Sequence, residues 1–152
     1  CFILSCWAVE KQPIVVGGIF SITGPASYLG EPERTTLQMM MVPETVLAKR
    51  SERLHTDLQG IDDRRLVFEQ DRVQSRIGGG SLPLLELPSH GVAVTAPGGS
   101  LQRIEAFLRQ HVPPIIGRIE KDRFIMDVRT LRDDDLPHIE KAFRRMLKKE
   151  SL

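Results

Sequence analysis

The sequence predicts an α+β fold: a small antiparallel or mixed sheet with helices on one face. Three observations carry that expectation. Short apolar runs rich in β-branched residues, IVVGGIF (14–20) and HGVAVTA (90–96), are bounded by glycine and proline. Stretches near 43–58, 100–110 and 133–147 repeat apolar residues at helical spacing. Between the last two, residues 115–129 alternate with period two around Lys121-Asp122.

Taken in order, 14–20 is expected to be a buried strand. SITGPASYLGEPE (21–33) carries glycine and proline breakers and reads as loop. A helix is expected from Pro43 to Leu58, with Pro43 at its first position and Glu44 at its positive end. Val46, Leu47, Leu54 and Leu58 share its apolar stripe, and Gly60 ends it. Leu66 to Gln70 is a short strand, and RIGGGSLPLLELP (76–88) follows as a glycine-rich loop. Each of its three consecutive glycines would cost about 1 kcal/mol against alanine in a regular element, so the bare backbone needs a reason. After the strand at 90–96, Pro97-Gly98-Gly99 turns the chain. Ser100 caps a helix through Gln110, with Leu101, Ile104, Phe107 and Leu108 inward, and Pro113 and Pro114 stop it.

Ile115–Glu120 and Arg123–Arg129 form a hairpin if Lys121 and Asp122 are a two-residue turn. Ile119 then faces Phe124, and Arg118 faces Ile125. Ile115, Ile119, Phe124, Met126 and Val128 share one face, at about 1.5–3 kcal/mol each if buried. Ile116, Arg118, Glu120, Ile125, Asp127 and Arg129 share the other, with Arg118 and Asp127 diagonal neighbours. The last helix starts around Asp133–Pro137, and Leu136, Ile139, Phe143, Met146 and Leu147 form its stripe.

Composition narrows the function classes. The 152 residues suffice for a domain with its own core. With 21 basic and 20 acidic residues, the chain as a whole has no electrostatic case for nucleic acid. Cys1 and Cys6 build neither a disulfide framework nor a zinc site, and His55, His90, His111 and His138 lack metal-ligand spacing. No metal is expected. The chain opens on Cys1 rather than methionine, so a fragment or a processed product is expected. CFILSCWAV reads as the tail of a secretory h-region or as a frayed apolar terminus; it is too short to span a bilayer.

Three spaced motifs then coincide in order: IGGGSLPLLELPS, PPIIGRI and DRFIMDVRTL, preceded by TTLQMMMVPETVLAKRSERL. Together they resemble the C-terminal part of bacterial selenocysteine synthase, the L-seryl-tRNA(Sec) selenium transferases, over about residues 35–152. The resemblance implies the small C-terminal domain of a fold-type I pyridoxal-phosphate enzyme. It implies a large domain holding the cofactor on a lysine, conversion of seryl-tRNA(Sec) with selenophosphate, and a ring-shaped homo-oligomer. The large-domain segment with that lysine has no counterpart in the 152 residues. No catalytic or cofactor-binding residue is therefore assigned, and this chain alone is expected neither to hold pyridoxal phosphate nor to catalyse the transfer. The implied partners are the large domain or subunits of a selenium transferase, and seryl-tRNA(Sec) in the full-length enzyme.

Residues 1–34 depart from that pattern. PIVVGGIFSITGPASYLGEPE resembles the opening strand and ligand loop of periplasmic solute-binding proteins of the branched-chain amino acid or amide type, with Ser21–Gly24 near the ligand. The alternative function is thus a remnant of a transporter's binding protein, and the chain reads as a composite: a foreign segment 1–34 and a small domain 35–152. The two parts imply opposite compartments. The longer decides for the cytoplasm, or the periplasm if the first is a genuine export signal.

Several residues have two readings. Gly78, Gly79, Gly80 and Ser81 form either a backbone-lined turn whose amides meet an anion, or a tight chain crossing. No Gly-Lys-Ser/Thr follows, so the phosphate-loop signature is missing. Arg118 is the leading candidate. In related type I enzymes a small-domain arginine holds the substrate's anionic group, as the planar guanidinium fork allows. Its other reading is an exposed strand arginine paired with Asp127. Arg129 and Arg132 reach tRNA or a neighbouring subunit, or are a solvated charge run. KAFRRMLKKE binds RNA phosphates, or is a solvated helix face. His90 and His138 are read as surface or capping residues, and Met39–Met41 as packing at the inter-domain boundary.

Overall fold

A computed structural model describes residues 23–25, 27–61, 63–76 and 86–149. The chain divides into two compact units, Cys1–Leu37 and Gln38–Leu152. The expected strand at 14–20 and the Gly78–Ser81 run lie outside the described residues.

In the first unit the expected loop is corrected. Helix α1 (Ser27–Met40) begins inside it and contains Pro32. Both breakers, Gly30 and Pro32, fall in the first two turns. Beyond them ERTTLQMM propagates well enough, and the Thr35 and Thr36 hydroxyls donate back to the carbonyls of Glu31 and Pro32 at 2.9 Å.

The second unit carries α2 (Glu44–Gln59), β1 (Val67–Arg76), β2 (Glu86–Thr95), α3 (Leu101–Arg109), β3 (Arg118–Glu120), β4 (Arg123–Asp127) and α4 (Leu136–Lys149). The strands make one sheet in the order β1-β2-β4-β3, antiparallel throughout. The α+β class therefore holds, and of the two sheet types expected, the antiparallel one is observed.

One face of the sheet is the core face. Phe68, Val92, Val94, Phe124 and Met126 meet Leu47, Leu54 and Leu58 of α2, Ile104 and Leu108 of α3, and Ile139, Phe143 and Met146 of α4. Phe68 and Phe143 pack edge to face at 5.3 Å. Burial of each large side chain contributes about 1.5–3 kcal/mol before entropy. The buried Ser51 hydroxyl donates to the Gly91 carbonyl at 2.9 Å and ties α2 to the central strand. The other face carries a small apolar patch, Val73, Ala93 and Ile125, set among charged side chains.

The hairpin forms in the expected register, Arg118 opposite Ile125 and Ile119 opposite Phe124. Lys121 and Asp122 both take positive φ, 51° and 55°, as a type I′ turn requires. Its strands are shorter than expected. Ile115 is buried ahead of β3, its amide donating to the Leu108 carbonyl at 2.9 Å. After Asp127 the chain turns through a 3₁₀ stretch, Val128–Thr130, so Arg129 leaves the strand. Strand β1 runs on to Arg76, paired all along with β2. Val46, expected on the inward stripe of α2, is exposed. Ser100 caps α3 by accepting from the Arg103 amide, as expected. No helix among the described residues is long and apolar enough to cross a membrane.

Gly117 explains how β3 approaches β4. A Cβ there would run into the Phe124 ring and come within 2.7 Å of the Ile125 carbonyl. Gly117→Ala should therefore lower stability by about 1–3 kcal/mol, read as a lower urea midpoint with unchanged m-value.

Two carboxylates set an acid limit. The Arg65 side chain and amide hold Asp63 down to about 2, from an ordinary 3.8. Burial pushes Asp135 up, but the Arg132 backbone and side-chain hydrogen bonds outweigh it and lower it. Groups more acidic folded than unfolded stabilise fully above the unfolded value and lose that contribution as pH falls through the folded one. The thermal midpoint should thus drop as pH falls from 3.8 toward 2, and less steeply in Asp63→Asn. An identical slope in that variant would contradict it.

Candidate functional site

The sheet face away from the helices gathers the polar candidates. Arg118 projects from the short strand β3. Its Nη2 donates to the Gln74 carbonyl at 3.2 Å, its Nε to Glu120 Oε2 at 3.3 Å, and its Nη1 lies 3.6 Å from Asp127 Oδ2. The expected diagonal pairing with Asp127 is present. The Arg118 side chain is still 39% exposed.

Asp127 ends β4 and is far better held. Its Oδ2 accepts from the Ser75 hydroxyl at 2.6 Å, and its Oδ1 from the Ser89 hydroxyl at 2.7 Å and the Arg129 amide at 3.0 Å. Ser75 and Ser89 belong to β1 and β2, beyond the last residue pair that joins β2 to β4. One carboxylate thus holds three strands in place beneath Arg118. Beside it Arg123 and Asp71 pair at 2.7 Å.

A groove of about 220 Å³ lies along this face between the Gln74–Arg76 end of β1 and the β3–β4 hairpin. Its cations, Arg72, Arg76, Arg118, Lys121 and Arg123, outnumber its carboxylates, Asp71, Glu86 and Glu120. The arrangement suits a small anion. Glu120 is exposed, and an exposed ion pair is worth under about 1 kcal/mol, so Arg118 can release that partner at little cost.

The other candidates separate. Gly79, Gly80 and Ser81 lie outside the described residues. Arg129 is not on the polar face; its side chain is buried, contrary to both readings. Its Nη1 donates to the carbonyls of Met39 and Met40 at 3.1 and 3.0 Å and to that of Val42 at 3.4 Å, and its Nη2 to that of Pro88 at 2.6 Å. It closes the C-terminal end of α1, where a cation complements the helix dipole. Arg132 is exposed beside Asp135. His90 is buried, a correction, with Nε2 3.4 Å from Glu44 Oε1, while His138 is exposed. Among the described residues no three His, Cys, Asp or Glu side chains gather as a metal site.

Asp127, Ser75 and Ser89 were missed as a unit. The only signal was the diagonal position of Asp127. The serines enter through the length of β1 and the curl of the β1–β2 arm, which periodicity does not report. Arg129→Met should lower stability by about 3 kcal/mol, because it strips donors from buried carbonyls. Arg129→Lys should recover only part, since an ammonium cannot reproduce the fork. Chemical denaturation of both variants reads the difference.

A protein-family model described as L-seryl-tRNA selenium transferase matches residues 29–132. It takes in most of α1, the whole sheet, α2 and α3, and the last six residues of the segment set apart as 1–34. Curated relatives agree. The L-seryl-tRNA(Sec) selenium transferase of Geobacter sulfurreducens is 39% identical over 115 residues, 75% of this chain and 25% of its own length. That of Hyphomonas neptunium is 53% identical over 70 residues, 46% of this chain and 15% of its own length. That of Aquifex aeolicus is 34% identical over 111 residues, 73% and 24%. The chain spans about a quarter or less of the length of these relatives. On the extent of the model match and the agreement of these relatives, the chain belongs to the L-seryl-tRNA selenium transferase family.

Proposed function

We propose that this chain is the C-terminal part of an L-seryl-tRNA(Sec) selenium transferase, the enzyme that converts seryl-tRNA(Sec) to selenocysteinyl-tRNA(Sec) with selenophosphate. The observation that carries the reading is the continuous family match through 29–132, against relatives of which this chain is only a fraction. In this reading the sheet unit packs beside a cofactor-bearing large domain, and neighbouring subunits complete a cytoplasmic homo-oligomer.

The described residues do not themselves fit pyridoxal phosphate. That cofactor needs a lysine amine for its aldehyde and an enclosed anion cradle for its phosphate. Lys49, Lys121, Lys141, Lys148 and Lys149 are all exposed on helices or the hairpin turn. The cofactor therefore belongs to the large domain, and no step through it is assigned to this chain.

What the unit supplies is a charged wall. Arg118, braced on Asp127, takes the substrate anion, selenophosphate or an aminoacyl-linked phosphate, in exchange for Glu120. Ser75 and Ser89 hold the brace; Gly79, Gly80 and Ser81 remain candidates for anion contact on their sequence alone.

In the full-length enzyme, Arg118→Ala should cut kcat/KM about 100-fold, the loss of two charge-assisted hydrogen bonds. Its unfolding free energy should change by less than about 1 kcal/mol. Wild-type turnover would remove Arg118 from the mechanism. The 152-residue chain, mixed with pyridoxal phosphate and passed through gel filtration, should elute without the cofactor's absorbance band. A band that survives, and disappears on mutating one lysine, would overturn that assignment.

A further inference from the structure

Arg129 is held at a cost that a helix cap does not require. It is 7% exposed, its Nε has no partner among the described residues, and no described carboxylate pairs with it. A buried cation without a counter-charge is expensive, and an apolar side chain of similar volume is often the more stable choice. An orphaned buried donor therefore asks for a reason beyond stability. The contacts of Arg129 supply one, because they fix position rather than balance charge.

Those contacts close a ring. Nη2 of Arg129 donates to the Pro88 carbonyl at 2.6 Å. The next residue, Ser89, donates its hydroxyl to Asp127 Oδ1 at 2.7 Å, and the same oxygen accepts the Arg129 amide at 3.0 Å. Outside the ring, Nη1 of Arg129 donates to the carbonyls of Met39, Met40 and Val42, just past Gln38, where the second unit begins. On the other side, Asp127 Oδ2 accepts from the Ser75 hydroxyl at 2.6 Å and stands 3.6 Å from Arg118 Nη1. A carboxylate free to move would close on that guanidinium as a short two-bond fork. Asp127 stays back because the two hydroxyls and the Arg129 amide hold it.

We propose that Arg129 is a positioning residue for Arg118. By fixing Pro88–Ser89 and the turn after β4, its guanidinium keeps Asp127 from occupying Arg118, and so keeps Arg118 open to an anion. The inference rests on the reading of Arg118 as an anion-binding residue. It adds a dependence which that reading lacks: the main chain at Met39–Val42, gripped by the same guanidinium, is tied to the anion affinity of the Arg118 face. Without Arg129, Asp127 competes with the anion and affinity falls. With lysine in its place, an ammonium still meets some of the carbonyls, and part of the restraint returns.

The test is NMR of the arginine Nε–H signals of the 152-residue chain during titration with inorganic phosphate. Loss of one signal in Arg118→Ala identifies it, and in the wild type that signal should shift saturably. Arg129→Met should weaken the fitted affinity about tenfold and Arg129→Lys about threefold, and both should shift the Arg118 signal before phosphate is added. Ser89→Ala leaves the guanidinium in place but opens the ring; it should weaken the affinity about threefold, and it decides the matter if the Arg129 variants do not fold. Ile139→Val, in the core on α4, lowers stability outside the ring and should leave the affinity unchanged. Circular dichroism and the urea midpoint establish that each variant is folded. A wild-type Arg118 signal indifferent to phosphate would overturn the anion reading and this inference with it. A wild-type shift with unchanged affinity in Ser89→Ala, or in a folded Arg129 variant, would overturn this inference alone.

Discussion

The carboxylate of Asp127 is the constraint on which the polar side of the sheet depends. It sits where β4 ends, with both oxygens engaged by hydroxyls from β1 and β2 and by the amide that begins the 3₁₀ turn. The β1–β2 arm extends beyond its pairing with β4, and nothing in an antiparallel ladder decides how such an arm curls. Two short hydrogen bonds to a charged acceptor decide it here. Through them the Gln74 carbonyl reaches Arg118. The same residue turns the chain so that Arg129 points inward. One side chain thus determines both the surface offered to a ligand and the buried cap on α1.

Much of this was legible beforehand, for physical reasons. The hairpin register followed from two residues able to turn, because a two-residue loop leaves only one pairing. Helices α2, α3 and α4 followed from stripes that the core then used almost entirely. The failures are equally physical. The first half of helix α1, to residue 33, was read as loop because breakers weigh heavily in a short window; the helix forms with Pro32 inside it. Strand β1 was cut short at Gln70, since DRVQSR shows hardly any apolar alternation; its pairing is carried by main-chain bonds to β2. Arg129 was assigned to a surface because a buried arginine usually betrays itself by a carboxylate partner. Its partners are carbonyls, which every residue has and no sequence displays. His90 was missed likewise, its burial following from its place between α2 and the arm.

The unit presents two chemically distinct sides. Toward the open face, Arg118 pairs with Glu120 and Asp127, Arg123 with Asp71 and Arg76 with Glu86. On the helix layer, Arg144 pairs with Glu140 and Arg109 with Glu105, while no described carboxylate pairs with Lys141, Arg145, Lys148 or Lys149. A paired face suits a contact that must be specific in position.

A recurring device has a further consequence. Arg50, Arg65, Arg118, Arg129 and Arg144 all end on main-chain carbonyls, at Leu131, Leu147, Gln74, Met40 and Gly60 among others. A carbonyl has no proton to gain over the range in which proteins live, and a guanidinium none to lose. Links of this kind therefore persist through acidification that neutralises carboxylates. They join elements far apart in the chain without asking any particular side chain of the partner. Drift in the sequence at those five positions leaves the crosslinks standing, so long as the backbone keeps its path; replacing the arginines does not.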